Sequence, residues 1–300
     1  MLSILNDKRK FIVDVPSDDI KKLEGKVTSH LVKLRGIDVI DKQEFNSLKP
    51  MGSDFANLYG LPKIHKVDNP LHPILSMCNS PTHKLAKWLA DILSPVRNEL
   101  CKFTLKDTFE LVDCLVDMTI KNRKMYSFDV NSLFTNVPLV KTVDILCDYI
   151  SSTCFSFPFP LTYLKDLLLL LLLCSDNVTF EGEHFRQMDG DAVSSPLGPL
   201  LADVYMSYVE NLSFDLISKL SFYKRYVDDI ILICDDHEDA SSLLDRLNSV
   251  QNHISLLMWF CSLSWMVNLR KLTIQLREQN HIKIIHLSYK SSLSYHITLT

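Results

Sequence analysis

Glycine is scarce in this chain, 7 in 300 residues beside 12 prolines, which excludes collagen, mucin-like stalks and wholesale disorder. The cysteines at 78, 101, 114, 147, 154, 174, 234 and 261 include no Cys-x-x-Cys pair. Reduced, buried thiols in an intracellular protein are therefore expected in place of a zinc site. Charge of one sign is also lacking: 32 basic against 36 acidic side chains give −4. Any contact with nucleic acid must then come from a local basic surface. The start, MLSILNDKRK, is too poor in apolar residues for a secretory segment. The most membrane-like run, the leucines Leu167 to Leu173, falls far short of the ~20 residues a bilayer span requires. An intracellular chain, nuclear or cytoplasmic and without membrane attachment, is the expectation; Lys8-Arg9-Lys10 is too short a basic run to choose between the two.

What is present is 47% hydrophobic and 23% charged residues, a globular balance with a soft prior of about two lobes. A chain of this length buries roughly three quarters of its unfolded surface and needs no disulfide to hold a core. Ser17 can cap a helix whose apolar face is Ile20, Leu23, Val27, Leu31 and Leu34. The basic, Pro- and Gly-punctuated segment LYGLPKIHKVDNPLHPILS (58–76) reads as extended chain and turns. Helices follow after Pro81, with Leu85, Leu89, Ile92 and Leu93 on one stripe, and over 107–118. In KMYSFDV (124–130) the period becomes two, with Met125, Ser127 and Asp129 on one side and Tyr126, Phe128 and Val130 on the other. This places Asp129 on the open face of a strand whose other face is apolar.

Pro138 suits the first position of a helix reaching Ile150, and a leucine-rich helix covers 161–174. Val178–Phe180 and His184–Gln187 read as a hairpin joined through Glu181-Gly182-Glu183. Ser195-Pro196 starts a helix with Leu197, Leu201, Val204, Tyr208 and Leu212 as its buried seam. FYKRYV and IILIC are strand runs around a two-residue turn, Asp228-Asp229. An acidic helix over 237–248 closes the readable part. From Leu200 to Thr300 there is neither Gly nor Pro, and from Gln251 onward Glu278 is the only acidic residue. No further domain is legible there.

Adjacent aspartates at a tight turn repel each other unless a cation lies between them. Hard oxygen ligands suit Mg²⁺, which keeps several waters and bridges carboxylate to phosphate. With the hairpin beside the strand, Asp129 and Asp228 can hold two ions roughly 3.5–4 Å apart, an arrangement suited to phosphoryl transfer. An Asp-Asp turn alone is an ordinary solvated turn. What changes the reading is the joint occurrence, in this order, of SFDVNSLFTNVP, SSPLGPLLADVYM and YKRYVDD.

On these motifs the sequence resembles reverse transcriptases, and more closely those of Penelope-like retroelements, whose style is visible in LYGLPKIHK (58–66), SFDVNSLFTNVPL (127–139) and DGDAVSSPLGPLLADVYM (189–206). The resemblance covers about residues 5–250. It implies an α/β right-hand polymerase core, with an antiparallel palm sheet packed on helices and with the thumb missing. The expected divisions are an N-terminal and fingers region at 1–120, a palm at 121–250 and a divergent tail at 251–300. It further implies an RNA-directed DNA polymerase that uses two Mg²⁺ ions, with Mn²⁺ as substitute, and takes an RNA template, a DNA primer and dNTP; no protein partner is identifiable.

Carried onto this chain, Asp129 and Asp228 are the principal metal ligands and Asp229 the third carboxylate. Phe134 matches the aromatic gate against a 2′-hydroxyl. Ser195 and Pro196 fit a helix start against the templating base pair. Lys63, Lys66 and His72 lie in the fingers segment that meets triphosphate or template, and Lys224 and Arg225 stand near primer phosphates. Three departures run against the pattern. His72 stands where an Arg is usual, weakening a fixed bidentate contact. Asp191 and Ser194 stand where the usual run is Gly-Val-Ala-Met-Gly-Ser-Pro, adding negative charge near the nucleotide and a Cβ at the Gly position. The tail after 250 lacks the primer-grip and thumb pattern. The alternative expectation is an inactive remnant that keeps the fold and binds nucleic acid weakly.

Overall fold

The computed structural model describes residues 11–13, 19–62, 71–116, 118, 122–131, 133–153, 155–173, 177–187, 195–250, 254–261, 285–286 and 298–299. The strands are β1 (Phe11–Val13), β2 (Ala56–Pro62), β3 (Leu71–Ser76), β4 (Lys124–Val130), β5 (Asn177–Phe180), β6 (Glu183–Gln187), β7 (Phe222–Tyr226), β8 (Asp229–Cys234), β9 (Leu256–Cys261), β10 (Ile285–His286) and β11 (Thr298–Leu299). The helices are α1 (Asp19–Gly36), α2 (Lys42–Leu48), α3 (His83–Leu100), α4 (Thr108–Val116), α5 (Leu133–Asn136), α6 (Leu139–Ser152), α7 (Leu161–Leu173), α8 (Gly198–Leu212), α9 (Phe214–Ile217) and α10 (His237–Val250). They form two compact units, each drawn from two stretches of chain: Met1–Leu100 with Phe134–Tyr205, and Cys101–Leu133 with Met206–Thr300.

The first unit carries a five-stranded sheet in the order β1-β6-β5-β2-β3. Its pairs are antiparallel except for β2 with β5. The segment expected as extended chain and turns is the hairpin β2–β3, with Tyr59 opposite Ile74 and Leu61 opposite His72. Lys63 and Lys66, like Ser17, lie outside the described residues. In the hairpin β5–β6 the turn is Glu181-Gly182, with φ of 51° and 86°. Both values are left-handed, the mirror-type turn that matches strand twist, and Gly182 adopts its value without a Cβ clash.

Ala56, Leu75, Met77, Val178 and Phe185 form the apolar cluster of this sheet. Leu23, Val27, Leu31 and Leu34 of α1 are buried, as are Leu85, Leu89 and Leu93 of α3, so both stripes read from the sequence face the core. The leucine run is a buried helix: Leu164, Leu167, Leu168 and Leu171 of α7 are inside, each worth about 1.5–3 kcal/mol of removal from water. Pro138 stands one residue ahead of α6 as its cap. Asp203 is buried inside the apolar α8 and is matched by Arg97, whose Nε donates to Oδ2 at 2.6 Å. Leu212 departs from the expected seam, since at the end of α8 it is 43% exposed. Cys78 and Cys114 are exposed, unlike the expected interior thiols.

The second unit carries a four-stranded antiparallel sheet in the order β7-β8-β4-β9. β4 is interior, as its alternation of apolar residues requires. The two faces are not one greasy and one open. Met125, Ile231, Ile233 and Phe222 are packed with Leu105, Leu111, Val112 and Leu115, so α4 and the chain before it cover the Asp129 face at the end away from Asp129. Phe128, Ile230 and Leu232 are buried on the opposite face, where Tyr126 meets His237 of α10 through a 2.9 Å hydrogen bond.

β9 lies beyond position 250, in the stretch expected as a divergent tail. It pairs along β4 from Val130↔Leu256 to Met125↔Cys261. The Asn248 side chain joins it to α10: Oδ1 accepts from the Leu256 N–H at 2.7 Å and Nδ2 donates to the Leu256 carbonyl at 3.3 Å. The sheet is thus completed in a stretch that contains neither Gly nor Pro. β10 and β11 form a short antiparallel pair. No described helix is long and apolar enough to cross a membrane.

Candidate active site

The acidic end of the second unit is built by sheet register. β7 and β8 close at Tyr226↔Asp229, so the two-residue turn is Val227-Asp228, one position earlier than the sequence suggests. Asp229 is already in the strand, where it lies directly opposite Asp129 of β4. Cross-strand partners project to the same face, and the two carboxylates therefore share one. Asp228, at the tip, is tied to β4 by its carbonyl, which accepts the Val130 N–H at 3.0 Å.

Convergence has an electrostatic signature. The Asp229 carboxyl is pushed up to about 7, first by burial and then by the neighbouring charges of Asp228 and Asp129. Asp129, distant in the sequence, and the adjacent Asp228 thus both act on Asp229, a repulsion that a cation would relieve. Among the described residues no group of three or more His, Cys, Asp or Glu side chains forms a ready-made metal cage.

The turn is strained. Val227 has a φ of 55°, in the left-handed region that a β-branched residue rarely enters. Behind it, Arg225 is fully buried, so the expectation that it approaches primer phosphates is corrected. Its Nε donates to Glu210 Oε1 at 2.8 Å, Nη1 to the Val227 carbonyl at 3.1 Å and Nη2 to Thr104 Oγ1 at 2.8 Å. Its own backbone pairs with Phe103 and Leu105, which cover the outer edge of β7. Tyr223 OH also donates to Glu210 Oε1, at 3.2 Å. Burial first, then the Glu210 carboxylate, holds the Tyr223 phenol well above its ordinary pKa, so it stays a donor. Lys224 is half-buried, and its Nζ donates to the Lys102 carbonyl at 3.2 Å.

The remaining candidates belong to the first unit. Phe134 is half-buried in the one-turn α5. Ser195 is buried, and its Oγ accepts the Leu197 N–H at 3.3 Å ahead of α8, with Pro196 between them. The backbone of His72 lies in β3. Sequence reasoning missed Glu210 and Val227. An acidic residue inside the run Tyr-Val-Glu-Asn-Leu of an otherwise apolar helix was the available signal for the first.

The sequence matches the family described as reverse transcriptase (RNA-dependent DNA polymerase) over residues 64–283. This chain belongs to the reverse transcriptase family. The match continues past position 250 and so includes β9. Among solved structures, this reverse transcriptase is similar in fold to apo telomerase from Candida tropicalis, with a TM-score of 0.52 at 9% identity over 86% of this chain and 53% of that one. It is likewise similar to telomerase of the same organism in complex with a fragment of telomeric RNA, with a TM-score of 0.52 at 12% identity over 71% of this chain and 42% of that one. The chain spans about half the length of the telomerase chains it resembles. At these identities the likeness is one of fold, the mixed α/β core of a polymerase with an antiparallel sheet and helices. No curated protein matches the chain.

Proposed function

We propose that this chain is an RNA-directed DNA polymerase of the Penelope-like type, extending a DNA primer on an RNA template from dNTP. The observation that carries the reading is the meeting of Asp129, Asp228 and Asp229 at one end of the β7-β8-β4-β9 sheet. The Penelope-like assignment rests on LYGLPKIHK, SFDVNSLFTNVPL and DGDAVSSPLGPLLADVYM; the telomerase likeness is one of fold and does not decide between them. Asp129 and Asp228 would hold two Mg²⁺ ions, or Mn²⁺ in their place, with Asp229 as the third oxygen donor. When bound, the ions lower the pKa of the primer 3′-hydroxyl and neutralise the departing pyrophosphate.

Burial, with the charges of Asp228 and Asp129, pushes Asp229 up to about 7, so it is only partly ionised near neutral pH, and a bound cation would favour its ionised form. Phe134 stands against a 2′-hydroxyl, Ser195 and Pro196 seat the templating pair, and Lys63, Lys66 and His72 meet the triphosphate or template. Lys224, on the strand beside the turn, remains the candidate for primer phosphate. The test is primer extension on an RNA template with Mg²⁺. The parent should extend, and Asp129→Asn or Asp228→Asn should lower the rate by at least about 10²–10³-fold. A second reading, a chain that keeps the fold without the activity, is favoured by Asp191 and Ser194 in the nucleotide-facing motif. It prevails if the parent does not extend while both Asn variants melt at the parent's temperature.

A further inference from the structure

A buried guanidinium is unfavourable unless a carboxylate and further acceptors replace its water. Arg225 and Glu210 are both fully buried and paired. Nη1 of Arg225 donates to the carbonyl of Val227, two residues on, the residue with the left-handed φ of 55°. A non-glycine residue persists in that conformation only where its surroundings over-determine it. On its other side the turn is held by the hydrogen bond from Val130 to the Asp228 carbonyl. The Val227–Asp228 peptide is thus held by the Arg225 side chain and the next peptide, Asp228–Asp229, by β4, so the two successive peptides of the turn are both anchored.

We propose that Arg225, oriented by Glu210 and Thr104, is a positioning residue that holds Val227 in its strained conformation and so aims the Asp228 carboxylate toward Asp129. Its effect on catalysis rests on the polymerase reading; its effect on the turn does not. Three simultaneous contacts require the planar fork of arginine, which a lysine ammonium cannot reproduce.

The experiment removes both charges together, Arg225→Met with Glu210→Gln, because loss of one partner alone leaves a buried charge uncompensated. Three properties are read: the melting temperature, amide hydrogen exchange of the 222–234 segment, and Mn²⁺ binding beside primer extension. The double variant should melt within a few degrees of the parent. Its amides at 227–229 should exchange about tenfold faster, equivalent to a loss of local ordering of about 1.4 kcal/mol. Mn²⁺ affinity and extension rate should fall with the KM for dNTP unchanged. Val227→Asn added to it should restore slow exchange, since Asn accepts the left-handed region.

Arg225→Lys is the second variant, and should loosen the turn while keeping the charge opposite Glu210. Parental exchange at 227–229 in both variants overturns the proposal, whether or not the parent extends primers. It is equally overturned if exchange rises uniformly across the sheet with a collapse in melting temperature, the behaviour of a merely structural pair. A parent that neither extends nor binds Mn²⁺ refutes the polymerase reading, and the exchange comparison still decides the role of Arg225.

Discussion

Replacing Asp229 by Asn should remove one contribution to the protein's loss of stability as pH rises from 5 to 8. Asp229 titrates at about 7 in the fold against 3.8 for an ordinary aspartate. Below the ordinary value both folded and unfolded chains carry the proton, and the group does not disfavour folding. Between the two values the unfolded chain releases a proton that the fold retains, so stability falls with rising pH until the folded group itself ionises near 7. At full value the shift corresponds to about 4 kcal/mol, of which about 2.6 kcal/mol falls between pH 5 and pH 8. Asp229 keeps partial access to solvent, and screening leaves roughly half of that, about 1.3 kcal/mol.

For a chain of 300 residues that is about 2 °C in melting temperature. The assay is thermal melting of parent and Asp229→Asn at pH 5 and pH 8 in chelator. The variant should gain on the parent by this amount between the two pH values, and Mn²⁺ at pH 8 should raise the parent's melting temperature more than the variant's. Parallel pH curves for the two proteins would refute the claim that the three carboxylates share one electrostatic environment.

Glu210→Gln alone should destabilise by about 3–5 kcal/mol, because the Arg225 guanidinium is left buried without its counter-charge; chemical denaturation measures it. Phe134→Ala should relax sugar discrimination by about tenfold or more, seen as rNTP incorporation in the extension assay. Unchanged discrimination would remove Phe134 from the gate role. His72→Arg with Ser194→Gly should raise the extension rate several-fold, about 1 kcal/mol in transition-state binding, if those residues weaken nucleotide contact.

Much of the scaffold was legible because local pattern and tertiary need coincide. The alternation in KMYSFDV is β4, residue for residue, and the heptad-like spacing of Leu23, Val27, Leu31 and Leu34 is the buried face of α1. The Glu-Gly pair announces the β5–β6 turn. The acidic cluster was legible as residues but not as register. Turn preference favours Asp over Val at tight corners, so the sequence points to a turn at Asp228-Asp229. The pairing of Tyr226 with Asp229 overrides that preference and forces Val227 into a conformation that its side chain disfavours.

Arg225 departs from its expected exposure for a related reason. A charged residue beside a candidate nucleic-acid site reads as surface, and its burial depends on a carboxylate 15 residues earlier that no local rule connects to it. β9 was hidden because its connection uses α10 and the Asn248 side chain in place of Gly or Pro. Apolar cover over the Met125 end of the sheet could not be foreseen from β4 alone, since it comes from α4 and the chain just before it.

The interleaving of the two units has a practical corollary for anyone dissecting this molecule. Each is assembled from a pair of non-adjacent stretches, and two of the crossings fall within helices, between Leu133 and Phe134 in α5 and between Tyr205 and Met206 in α8. A single cut therefore never isolates either body. Split reporters, limited deletions and domain grafts must respect all three junctions at once, whereas fragments trimmed at one site will carry stray chain from the other half.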